Sequence, residues 1–101
     1  MLKSELINGV SQGTLGIISR KIGDKKLAEQ ILQNNFTAVG LCQGDVVSIL
    51  IASDIAEKTS SVVVSEVNGI CPQHIICLAI FGDVTSVEAS LAAIESRLNT
   101  K

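Results

Sequence analysis

The sequence predicts an α+β fold, an α/β sandwich in which helices cover a mostly antiparallel four-stranded sheet. Two kinds of observation carry this expectation. Four β-rich apolar runs alternate with amphipathic ones, and three Gly-Asp pairs, Gly23-Asp24, Gly44-Asp45 and Gly82-Asp83, stand at the changes of pattern. Each Asp is a candidate helix N-cap, accepting hydrogen bonds from orphan backbone N–H groups at the positive end of the helix dipole. The length of 101 residues, with 47% hydrophobic and 18% charged residues, fits one ordered domain.

The elements follow in chain order. Residues 1–13 carry little pattern and read as an N-terminal extension. Thr14 to Arg20 and Phe36 to Cys42 are rich in β-branched and apolar residues and read as strands. Between them Leu27, Ile31 and Leu32 recur at helical spacing, and Asn34-Asn35 stops the helix. Val46 to Lys58 is a helix whose apolar residues, including Val47, Leu50, Ile51 and Ile55, cover most of its circumference. A helix of that kind is buried on two sides, one by the sheet and the other by a neighbouring subunit. Ser61 to Val67 and His74 to Phe81 read as antiparallel strands joined through the Asn68-Gly69 turn signal and Pro72, which has no N–H for a ladder. Val84 to Leu98 closes the pattern as a helix with one apolar stripe, Val84, Val87, Leu91, Ile94 and Leu98. The predicted order is β-α-β-α-β-β-α.

Composition narrows the function. The scaling of surface with mass predicts that a chain of 10.6 kDa buries only about 65% of its unfolded surface. With a mean hydropathy of +0.45, the apolar surplus points to a subunit interface. A net charge of -2 lacks the basic stripe of a nucleic-acid binder, and Phe36 and Phe81 are the only aromatics. No secretory signal is readable near Lys3, Glu5, Arg20 and Lys21, and no run approaches the ~20 apolar residues of a membrane span. Three cysteines without an export signal read as reduced cytosolic thiols rather than a disulfide framework.

Catalytic equipment is sparse. One His and the absence of Tyr, Trp and any phosphate, dinucleotide or nucleophile-elbow motif give no catalytic constellation, so the chain is not expected to be an enzyme. Asp45, Asp54 and Glu57 share a helix and read as a cap with solvated charges before they read as acid–base carboxylates. Cys42 and Cys77 sit in apolar strands and read as small buried hydrophobes. Cys71 differs, because it lies in a turn-and-proline connection. One thiol makes a metal site only if several subunits bring copies together, and locally a loop cysteine without special function is the simpler reading.

Over about 85 residues from Thr14, the chain resembles the bacterial microcompartment shell domain, the BMC domain, in its circularly permuted form. The resemblance rests on the strand at Phe36 to Gly44, the helix ending Asp54-Ile55-Ala56-Glu57-Lys58-Thr59-Ser60, the two strands with their connecting loop, and Gly82-Asp83-Val84 opening the last helix. It implies a permuted shell domain at 14–101, a homohexamer tiling a compartment facet with other shell proteins, and residence in that shell within the cytoplasm. It also implies that Lys58 lies at the edge between tiles, and that Asn68, Gly69, Ile70, Cys71, Pro72, Gln73 and His74 form the loop around a central pore. The run Gly69 to His74 is similar to the Gly-x-Cys-Pro-Gln-His loop of the iron–sulfur-associated shell proteins of glycyl-radical propanediol microcompartments. That likeness implies an iron–sulfur cluster, [4Fe-4S], bound by Cys71 from several subunits, and an encapsulated or cytosolic redox partner for electron transfer. The alternative is a small cytosolic α/β regulatory or ligand-binding oligomer.

Overall fold

The computed structural model describes residues 2–33, 36–69 and 75–98. Strands β1 (Lys3–Asn8), β2 (Ala38–Asp45), β3 (Val63–Val67) and β4 (Ile75–Gly82) form one sheet in the order β1-β2-β4-β3, every pair antiparallel. Helices α1 (Gln12–Arg20) and α2 (Lys25–Leu32) cover one face, and α3 (Val46–Thr59) and α4 (Val84–Leu98) cover the other. Side chains alternate across β2 and β4. Ala38, Cys42, Leu78 and Ile80 enter the core under α3 and α4, whereas Val39, Ala79 and Phe81 enter the core under α1 and α2. Burial on both faces explains why these strands read as continuous apolar runs.

Two expectations are corrected together. Thr14 to Arg20 is the body of α1, not a strand, and the fourth strand is β1, from the segment expected as an extension. Leu15, Ile18 and Ile22 are buried at helical spacing, and the Ser11 hydroxyl oxygen caps the helix by accepting the Thr14 N–H at 3.3 Å. Packing against Phe81 and Val39 therefore overrides the local β propensity of Ile17 and Ile18. β1 escapes notice because it is a half-exposed edge strand of mixed composition, paired only with β2. The observed order is β-α-α-β-α-β-β-α. Gly9 makes the turn out of β1, with a φ of +68° that other L-residues adopt at a cost, and its N–H donates to the Thr37 carbonyl at 2.9 Å.

The three Gly-Asp pairs behave as expected. Asp24 accepts from the Leu27 N–H at 3.2 Å, Asp45 from the Ser48 N–H at 2.8 Å, and Asp83 from the Ser86 N–H at 2.7 Å. The stop at Asn34-Asn35 lies outside the described residues. Gly40 sets the distance between sheet and helix: a Cβ there would fall 2.9 Å from Val87 Cγ1 and 3.2 Å from Leu91 Cδ1. α4 thus packs directly on the β2 backbone. Its contact with α3 is bonded by hydroxyls, Ser90 donating to the Ala56 carbonyl at 3.2 Å and Ser60 to the Ser86 carbonyl at 2.8 Å. No helix among the described residues is long and apolar enough to cross a membrane.

Candidate functional site: the β3–β4 connection and the exposed face of α3

β3 is the short second edge of the sheet, and its register pairs Val67 with Cys77. Just beyond it the Asn68 N–H donates to the Lys21 carbonyl at 2.7 Å, which ties the exit of β3 to the end of α1. Gly69 is exposed, with open space where a Cβ would stand, and its φ is not left-handed. The returning strand starts at Ile75, opposite Asp45 at the head of α3. Ile70, Cys71, Pro72, Gln73 and His74 lie outside the described residues, so the expected pore loop is bracketed by its first two residues and by Ile75.

The two described thiols stand on opposite faces of the sheet. Cys42 is opposite Leu78 in the register and points into the core under α3 and α4; Cys77, one residue earlier, points to the other face. Burial pushes the Cys42 thiol up to about 11, with Cys77 and Glu95 adding to the shift. Burial also raises Cys77, against the opposing hydrogen bond from the Cys42 backbone. Both are held as neutral thiols, as expected of buried cysteines, although Cys77 is only half-buried. No group of three or more His, Cys, Asp or Glu among the described residues could hold a metal ion.

The carboxylates of α3 have structural partners. The Ser48 backbone N–H holds Asp45 below its usual carboxylate range, and Asp54 pairs with Lys58 at 2.9 Å. Lys58 projects from the last turn of α3 with its side chain 76% exposed, and the Asp54 hydrogen bond raises its pKa. The helix buries Ile49, Ala52 and Ala56 and leaves Val47 67% and Leu50 65% exposed on the opposite side, beside the exposed Val46. This is the unpaired apolar face that the helical pattern predicts. Sequence reasoning passed over the run Arg20 to Lys26, four cations in seven positions, because its link to Asn68 is visible only in three dimensions.

The subunit is thus an antiparallel sheet with helices on both faces and an exposed apolar ridge on α3. The BMC domain model matches residues 38–101, from the first residue of β2 onward. The chain therefore belongs to the BMC-domain family of microcompartment shell proteins, structural proteins that assemble with one another in the compartment shell. The ligand-free GrpU microcompartment shell protein from Clostridiales bacterium 1_7_47FAA is 31% identical, with 97% of this chain and 93% of that chain aligned at a TM-score of 0.71. The ligand-free GrpU shell protein from Pectobacterium wasabiae is 32% identical, with 92% of this chain and 99% of that chain aligned at a TM-score of 0.70. A fused permuted hexameric shell protein, MSM0275 from the RMM microcompartment, shares the fold alone. It is 14% identical at a TM-score of 0.70, over 98% of this chain and 46% of that one. No curated protein sequence matches the chain.

Proposed function

We propose that this chain is the subunit of a homohexameric shell tile, with six β3–β4 connections gathered around a central pore. The observation that carries the reading is the exposed ridge of Val46, Val47 and Leu50 on a helix whose opposite side is already in the core. Removing such a ridge from water drives association, at about 25 cal/mol per Å² of apolar surface buried. α3 of one copy packs against the next copy around the ring, and Lys58 reaches the boundary between tiles. Native mass measurement tests the ring: six copies are expected, and a stable monomer would overturn it.

The second part of the proposal concerns Cys71. A [4Fe-4S] cluster takes four thiolates, and each chain supplies one Cys71, so four subunits must contribute. The choice of Cys71 rests on the resemblance of the run Gly69 to His74; Cys42, by contrast, is buried in the core under α3 and α4. When bound, the cluster supplies one-electron transfer across the shell to a redox partner. The chain's own task is to bring the thiols together, with Pro72 restricting the loop. Anaerobic reconstitution with iron and sulfide tests this part. The visible charge-transfer band should vanish in Cys71→Ser and persist in Cys42→Ser and Cys77→Ser; a band retained in Cys71→Ser rejects it.

A further inference from the structure

We propose that the two helix layers of the subunit are complementary docking surfaces, and that the cationic α1–α2 layer of one copy seats on the acidic groove between β1 and α4 of a second copy, stacking subunits face to back. The contact runs through the faces of the sheet, so it goes beyond the ring proposed above and does not depend on it. In the α1–α2 layer Arg20, Lys21, Lys25 and Lys26 stand against Asp24 and Glu29, a net of +2. In the α3–α4 layer Asp45, Asp54, Glu57, Asp83, Glu88 and Glu95 stand against Lys58 and Arg97, a net of -4. All of these residues are exposed. The strands widen the difference: Lys3 and Glu5 cancel on the α1–α2 side, in register with Gln43 and Leu41, and Glu66, in register with Leu78, adds an acid to the α3–α4 side.

The groove gives the acidic side a seat. Leu6, Leu91 and Ala92 form the apolar part of an open groove of about 300 Å³, and Glu5, Glu88 and Glu95 form its acidic part. The Ser4 hydroxyl donates to the Glu95 carboxylate and fixes it there, whereas Glu88 has no hydrogen-bond or ion-pair partner among the described residues. The α1–α2 layer offers matching pieces. Ile17 and Leu32 are 50% and 44% exposed, and Lys21, Lys25 and Lys26 have no ion-pair partner among the described residues. Exposed charge pairs add little one at a time, but opposed patches of several charges orient association and reject like faces. Two copies meeting through the same face set acid against acid or cation against cation; only face to back brings opposite signs together. A contact between two different surfaces does not close on itself, so it repeats.

Sedimentation velocity tests the stack at about 0.01 M salt, where charges act over about 30 Å, and at about 1 M, where they act over about 3 Å. The mean mass at low salt should exceed the high-salt mass by about twofold or more. The high-salt mass reports the ring and the ratio reports the stack, so either can fail alone. Lys25→Glu with Lys26→Glu makes both faces acidic, and Glu88→Lys with Glu95→Lys makes the groove cationic like the layer it receives. Each variant alone should give a ratio of one, and an equimolar mixture of the two should recover the wild-type ratio. Circular dichroism checks that both are folded; if losing the Ser4 bond disturbs the second, Glu88→Lys with Ala92→Lys takes its place. A wild-type ratio of one, a reversed variant that stacks like wild type, or a mixture that stays at one overturns the proposal, and the first of these leaves the acidic groove to a cationic partner of another kind.

Discussion

Burial keeps the Cys42 thiol neutral to about pH 11, whereas an exposed thiol in the unfolded chain ionises near 9. Because the folded value is raised, this contribution to stability is complete below pH 9 and is lost as the pH climbs toward 11. Denaturant melts between pH 8 and 11 should show that decline, and Cys42→Ala should flatten it. Asp45 and Asp83 have the opposite sign: both are lowered by the backbone N–H groups they cap. Their contribution holds above the unfolded carboxylate range near pH 4 and disappears as acid protonates the folded form. Asp45→Asn and Asp83→Asn should each lower the Tm at neutral pH and reduce its fall between pH 5 and 2. If the acid limb is identical to wild type, the caps do not govern it.

At the level of elements, the α3–α4 contact invites a direct test. Ser90 is fully buried, donates to the Ala56 carbonyl and bonds the Ser60 hydroxyl at 2.8 Å, so Ser90→Val would remove both bonds and leave that carbonyl only the Ser60 N–H at 3.4 Å. The expected cost is about 1–3 kcal/mol in denaturant unfolding. Gly40→Ala should cost a similar amount, about 1–3 kcal/mol, by driving a methyl into Val87 and Leu91. Elements defined by long periodic runs were legible from sequence: α3, α4, β4 and the caps at Asp24, Asp45 and Asp83 all stand where pattern places them. α1 was not, because nine residues containing two glycines and two adjacent isoleucines offer no helical propensity to weigh against a strand. β1 was not, because an edge strand with polar residues on its open side lacks clean alternation. Of the site, the exposed face of α3 was legible as an excess of apolar positions. The tie between Asn68 and Lys21 is a backbone hydrogen bond across 47 positions of sequence, and no side-chain pattern announces it.

The whole subunit is a slab with extents of 39 × 33 × 19 Å, a shape suited to tiling. Its apolar ridge is concentrated at the head of α3, so, if α3 forms the interface of the proposed ring, Val47→Lys with Leu50→Lys leaves the monomer folded and releases it. Circular dichroism would show the wild-type spectrum while native mass falls to one copy; an intact ring would remove α3 from the interface. Lys58→Asp has a different target, since the residue stands at the far end of the same helix beside Asp54. Rings should persist, and extended sheets in electron micrographs should be lost.

The Ser4 hydroxyl donates to the Glu95 carboxylate, so the strand that starts the described chain lies against the helix that finishes it. β1 and α4 are therefore neighbours in space although they stand at opposite ends of the element order. A short flexible linker from the end of α4 to the start of β1, with new termini cut just ahead of β2, would give the order β-α-β-β-α-β-α-α without moving a single core side chain. The same protein could thus be read from another starting point, and a cyclised chain should fold to the same sheet.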